Sequence, residues 1–186
     1  MKGYLIMSKN LKLLCLSAMF MAIGLLLPFI TGNIPQFGRY LCPMHIPVML
    51  CGLICGWKYG LAVGFITPLL RSVLFHMPAL YPSAVGMAFE LAAYGACVAI
   101  IYALFKKKNI FAVYGALIPS MLIGRLIWGA ARTVMLGLSG PETAGFGYSY
   151  FITSGFVEAI PGIILQLILI PIIIEGLWRA RLLPVR

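Results

Sequence analysis

Between Leu13 and Ile174 the chain offers one apolar run after another, each close to the roughly 20 residues a helix needs to cross a bilayer. Such runs leave little choice of fold. In hydrocarbon every backbone N–H and C=O has to be paired inside the structure, so the runs are expected to form membrane-spanning helices packed side by side. Composition agrees: 62% of the 186 residues are hydrophobic and 10% are charged, with a mean hydropathy of +1.04. A soluble domain holds roughly 45–50% apolar residues, and a soluble bundle needs polar helix faces that these runs lack. The expected fold is an all-α polytopic membrane protein, a single transmembrane domain over residues 1–186.

Candidate spans lie at about 13–31, 43–57, 59–76, 82–105, 110–138 and 149–178. The stretch 41–75 is apolar apart from Lys58 and Arg71. As one helix it would be about 50 Å long, against a hydrocarbon core of about 30 Å. Gly56-Trp57-Lys58-Tyr59-Gly60 supplies the break, with glycines for a turn, aromatics for the interface and a lysine for water. Charge counting supports six spans. Lys2, Lys9, Lys12, Lys58, Lys106, Lys107, Lys108, Arg179, Arg181 and Arg186 then share one side, and Arg39 lies on the other. Five spans would move the Lys106–Lys108 cluster and the C-terminal arginines outside, against the positive-inside rule. Both termini are therefore expected in the cytoplasm.

The same distribution decides what the net charge of +10 means. Cations at span ends set topology and do not form a nucleic-acid surface. The Lys106–Lys108 run reads as an anchor with attraction for anionic membrane lipid. Cys15, Cys42, Cys51, Cys55 and Cys97 fall mostly inside apolar runs, and four of the five read as small buried hydrophobes. Cys51-x-x-x-Cys55 has no His or second Cys pair to complete a metal set, so no metal and no cofactor are expected. The apolar segment after Lys12 resembles a signal-peptide core, yet no A-x-A-like cleavage site follows before Pro28, and it reads as a retained first span.

Five ionisable residues interrupt the hydrocarbon: Arg71, Glu90, Arg125, Arg132 and Glu158. Each costs roughly 2.5–3.5 kcal/mol at a helix centre on insertion scales, so each is expected to face protein, a wet cavity or a ligand. Helical rise places Glu90 and Glu158 about 12–13 Å from the outer ends of their spans and Arg132 about 9 Å. Arg71 is similarly shallow, Arg125 is deeper, and His45 and His76 stand above this layer. Arg125 and Arg132 are seven residues apart on nearly one helical face, with Trp128 and Gly129 between them. Two readings follow. One is an internal salt-bridge network that orients the helices. The other is an outward-open pocket with one surplus positive charge, suited to a small anionic or zwitterionic solute, since Arg presents a planar fork to carboxylate or phosphate. Tyr81, Trp128, Tyr148 and Tyr150 offer flat apolar contact in the second reading, or an interfacial belt in the first.

Three outside connections are expected, at 32–42 (with Asn33, Gln36, Phe37, Arg39 and Tyr40), 77–81 and 139–148 (with Glu142). Each is either a plain connection or part of a lid. Small-residue spacings recur at Ala18-x-x-x-Ala22, Gly52-x-x-x-Gly56 and Gly60-x-x-x-Gly64, a pattern that lets helices approach closely.

Six spans in under 200 residues, Ala18-x-x-x-Ala22 in the first, a long outer loop next and polar residues in the outer halves of later helices resemble the substrate-binding S components of energy-coupling factor (ECF) transporters. The stretch from Pro43-Met44-His45-Ile46-Pro47 through Phe89-Glu90-Leu91 is similar to that group too. The resemblance implies capture of a vitamin or vitamin precursor outside a prokaryotic plasma membrane, with a transmembrane T subunit and two ATPases as partners. It assigns T-subunit docking to Ala18 and Ala22, and substrate contact to the 32–42 loop, Glu90, Arg125, Arg132 and Glu158; the pocket reading of the charges adds Arg39, Arg71 and Trp128 as substrate contacts. Met44-His45-Ile46 resembles the opening of the nickel and cobalt members. Here it is internal, with no free amine and no third nitrogen ligand, so metal specificity is not expected. The surplus arginine favours a carboxylate-bearing solute, with pantothenate leading and cobalamin-type, pyridoxine-type and lipoate-like solutes open.

Two other classes compete. Gly137-Leu138-Ser139-Gly140 matches the G-x-S-G of rhomboid-type proteases, but no histidine follows His76 to act as base. A self-sufficient carrier or channel would use the charges as a relay, yet the sequence has no clear inverted repeat. The chain also lacks a G-x-x-x-x-G-K-[ST] loop for ATP phosphates, so an enzyme is not expected.

Overall fold

Glycines and prolines punctuate the apolar runs, and helices fill the intervals. The structure, a computed structural model, describes residues 9–30, 41–137 and 153–181. Among these residues there are six α-helices: α1 (Lys9–Ile30), α2 (His45–Cys55), α3 (Trp57–Phe75), α4 (Val85–Leu104), α5 (Ile110–Gly137) and α6 (Ile160–Arg179). Two short π-helical turns, Leu80–Ala84 and Thr153–Val157, lead into α4 and α6. Among the described residues five helices are long and apolar enough to cross a membrane. The all-α polytopic fold is the one the sequence implies. Arg39, the 32–42 and 139–148 loops and Ser139 are expectations that fall outside the described residues, apart from Leu41 and Cys42.

The exception among the helices is α2. Its 11 residues rise about 16 Å, half of a hydrocarbon core. Cys42 takes a left-handed backbone with φ 44, and Pro43 follows, so the second helix starts two residues later than the expected span. A short apolar helix is stable here because protein surrounds it. His45 through Gly52 are buried, and α2 lies against α1, α3, α4 and α6. α4 packs along α3 and α5 and also against α2. Met49, Cys51, Leu91, Tyr94, Val98, Val113, Leu117 and Ile170 fill the space between them.

The α2–α3 break is narrower than expected. Gly56 alone, at φ 96, separates the helices. Only glycine adopts that conformation without strain. Gly60 lies inside α3, where a Cβ would meet the carbonyl oxygen of Gly95 at 2.5 Å. Gly52, Gly64 and Gly95 likewise bring backbone against backbone, so the small-residue spacing serves contact among α2, α3 and α4. Ala18 and Ala22 do the opposite and lie on the exposed face of α1 with Leu14, Met19 and Leu26.

Only Cys51 and Cys55 are buried; Cys42 and Cys97 are half-buried and Cys15 is exposed. The expectation of four buried thiols is corrected to two, because Cys42 precedes α2 and Cys97 lies on a partly covered face of α4, while Cys15 falls on the outer face of α1.

Candidate functional site

α4 carries the site because one of its faces is small. Gly86, Ala88, Gly95, Ala96 and Ala99 let neighbours close in, and Glu90 is left 2% exposed in the middle. A carboxylate there has to be answered. Arg125 of α5 reaches across, with Nη1 2.8 Å from Glu90 Oε1. One turn along α4, the Tyr94 hydroxyl donates to the same oxygen at 3.0 Å. His45, first residue of α2, brings Nε2 to 3.6 Å from it. Arg125 also turns Nη2 toward Cys42 Sγ at 3.7 Å.

Each side chain is placed by its helix. Gly124 faces the Tyr94 ring so closely that a Cβ would overlap it, and this fixes the ring beside Arg125. Tyr94 in turn sits 5.2 Å from the His45 ring, tilted by 55°. His45 reaches this depth because α2 begins late. Counting up from the Gly56 turn, His45 stands about 15 Å along its helix, not at the outer end of a full span. Cys42 lies just ahead of α2, and burial pushes its thiol pKa above the usual range despite the nearby Arg125 charge.

The other expected charges go elsewhere. Arg71 is buried, but between α1 and α3: Nη1 donates to the Leu25 carbonyl at 2.6 Å. Its guanidinium lies 5.0 Å from the Phe29 ring and 5.6 Å from the Phe75 ring. Those two rings pack edge-on at 4.8 Å. Arg132 is half-buried, two turns outward from Arg125, with its guanidinium 5.5 Å from the ring of buried Trp128. Gly86 makes room there: a Cβ would lie 3.3 Å from Arg132 Cγ and 3.7 Å from Trp128 Cδ1. Tyr81 closes the same end by donating to the Met135 carbonyl at 2.5 Å.

Glu158 is half-buried and sits on a turn, two residues before α6, with its N–H bonded to the Thr153 carbonyl at 2.8 Å. Pro161 occupies the first turn of α6, a position proline favours, and so fixes where the helix starts. The expected position of Glu158 deep along a helical span is corrected on that account.

The single layer of four charges with Arg125 beneath therefore resolves into three places besides the turn that holds Glu158. Glu90 and Arg125 form a neutralised core with His45, Tyr94 and Cys42. Trp128 and Arg132 form a stacked pair nearer the outside. Arg71 joins α1 to α3. Tyr94 was legible as the i+4 neighbour of Glu90. His45 was expected above the charge layer, at the outer end of a span drawn as 43–57, whereas it opens the buried helix His45–Cys55; Cys42 gave no signal. Among the described residues no three His, Cys, Asp or Glu side chains gather as a metal set.

A family model described as "ECF transporter, substrate-specific component" matches residues 12–174. No curated protein and no solved structure matches the chain.

Proposed function

As the chain belongs to the family of ECF transporter substrate-specific components, we propose that it captures a carboxylate-bearing vitamin or vitamin precursor at the outer face of a prokaryotic plasma membrane. Pantothenate is the leading candidate; cobalamin-type, pyridoxine-type and lipoate-like solutes are the alternatives. Members of this family are binding subunits and not enzymes, and they work with a T subunit and ATPase subunits.

The observation that carries the reading is the guanidinium of Arg132 set 5.5 Å from the ring of buried Trp128, near the outer end of α5. Arg125 is matched by Glu90 at 2.8 Å, and Arg71 is engaged by Leu25 and two rings. We assign anion recognition to Arg132 beside Trp128, because its guanidinium adds N–H donors to an aromatic wall. A stacked guanidinium still presents its N–H edge in the plane that a carboxylate prefers. Arg39, on the 32–42 loop, and Glu158 complete the proposed pocket wall, while Glu90 and Arg125 form its floor. Ala18 and Ala22 would form the face that meets the T subunit, for which their exposure speaks.

The test is direct. Purified protein should bind its solute without ATP, and vesicles holding this chain alone should show no ATP-driven uptake until T and ATPase subunits are added. Robust ATP hydrolysis by the isolated chain, or uptake driven by an ion gradient, would overturn the proposal.

A further inference from the structure

The core of the bundle leaves polar atoms unanswered. Among the described residues neither ring nitrogen of His45 has a hydrogen-bond partner, and neither does Nε of Arg125. Both side chains are more than nine-tenths buried, at 2% and 6% exposure. An unpaired buried polar atom costs free energy comparable to a lost hydrogen bond, so its persistence asks for a partner.

The chemistry of the two atoms is complementary. His45 Nε2 lies 3.6 Å from Glu90 Oε1, so an Nε2–H tautomer turns its proton toward the carboxylate and its Nδ1 away from it. In a neutral imidazole the proton stays on the nitrogen that faces an acceptor, leaving the other with a lone pair. Nδ1 is then an acceptor. Arg125 Nε–H is a donor and nothing else. They arrive from α2 and α5, and both side chains meet one oxygen, Glu90 Oε1. A buried acceptor and a buried donor in one cluster are the counterpart of an N–H beside a C=O.

We propose that His45 and Arg125 recognise an amide-type group of the captured solute, an amide, lactam or ureido edge. Its N–H donates to His45 Nδ1 and its carbonyl accepts from Arg125 Nε–H. The inference rests on the capture reading above and narrows the solute class. Glu90 and Tyr94 act as positioning residues that hold Arg125 in place.

Two substitutions separate the roles of the ring nitrogens. His45→Asn sets an amide near the place of Nδ1, and His45→Gln sets one near the place of Nε2. Bound solute is extracted from protein purified from cells grown on rich medium, then identified and quantified by mass spectrometry. Melting temperature and size-exclusion profile monitor folding. The extracted solute should carry an N–H next to a C=O. His45→Gln should retain about tenfold less of it and His45→Asn within about threefold of wild type, the scale of one buried hydrogen bond. As pure probes, pantothenate, which holds an amide, should raise the melting temperature of solute-free protein more than lipoate, which lacks an N–H.

A solute without such an edge, or His45→Gln outperforming His45→Asn, overturns the inference and leaves capture intact. So does equal retention by all three proteins, which would mean that trapped water answers both atoms. Wild-type protein that carries no solute and responds to neither probe overturns the capture reading as well.

Discussion

Replacing Arg125 by Met removes one half of an ion pair whose other half cannot escape. Glu90 is 2% exposed, and without Arg125 it keeps the Tyr94 hydroxyl at 3.0 Å and His45 at 3.6 Å. At 2.8 Å the gross attraction is about 6 kcal/mol for an effective dielectric constant of about 20. Desolvation opposes it, and breaking a buried pair on one side costs about 3–5 kcal/mol. In solute-free protein Arg125→Met should therefore lower the melting temperature in detergent by about 6–20 °C, at about 2–4 °C per kcal/mol for a chain of this size. Glu90→Gln should fall in the same range, because it strands the guanidinium. The double variant decides the matter. With both charges gone, Gln and Met leave no unmatched ion, and stability should return to within about 1–2 kcal/mol of wild type. Calorimetry or tryptophan fluorescence on the four proteins of the cycle reads this out. A double variant as unstable as the sum of the two singles would refute the reasoning, since the charges would then be solvated independently.

Further outcomes are expected on other faces. Gly95→Ala drives a Cβ into the backbone of α3 at Gly60 and should cost about 1–3 kcal/mol or more in thermal melting. Arg71→Gln should destabilise the protein by loosening α1 from α3 while the folded fraction keeps its solute. Arg132→Gln should lower solute affinity about tenfold or more, as for loss of a hydrogen bond to a charged group. Burial raises the Cys42 pKa, so its thiolate forms only at higher pH. Maleimide labelling of Cys42, followed by peptide mass spectrometry, should be slow near pH 7 and should rise with pH. Ala18→Leu with Ala22→Leu should leave melting and solute binding unchanged, because both positions are exposed, while co-purification with the T subunit is lost.

Much of the fold was legible because a bilayer fixes helix length and lysines fix orientation. The Gly56 break, the α4 and α5 helices and the burial of Glu90 and Arg125 all follow from local pattern. The site was legible only as a set of residue types. Spacing shows that Tyr94 shares a face with Glu90, but it says nothing of which arginine will meet the carboxylate. Helical rise suggested one layer of charges; the partners that the packed helices supply divide it. Arg71 belongs to α1 because Leu25 and Phe29 lie across from it, a contact separated by 46 residues in sequence.

By itself the sequence determined an all-helical membrane bundle and the charges it would have to shelter, because hydrophobicity and charge act locally and add up along the chain. Tertiary structure alone decided which charges neutralise each other. It shortened α2 to 11 residues and so brought His45 inward. It set Tyr94 against Gly124, and it joined Arg125 to Glu90 while leaving Arg132 on Trp128. Ion pairing depends on distances of a few ångströms between different helices, and only close packing fixes those.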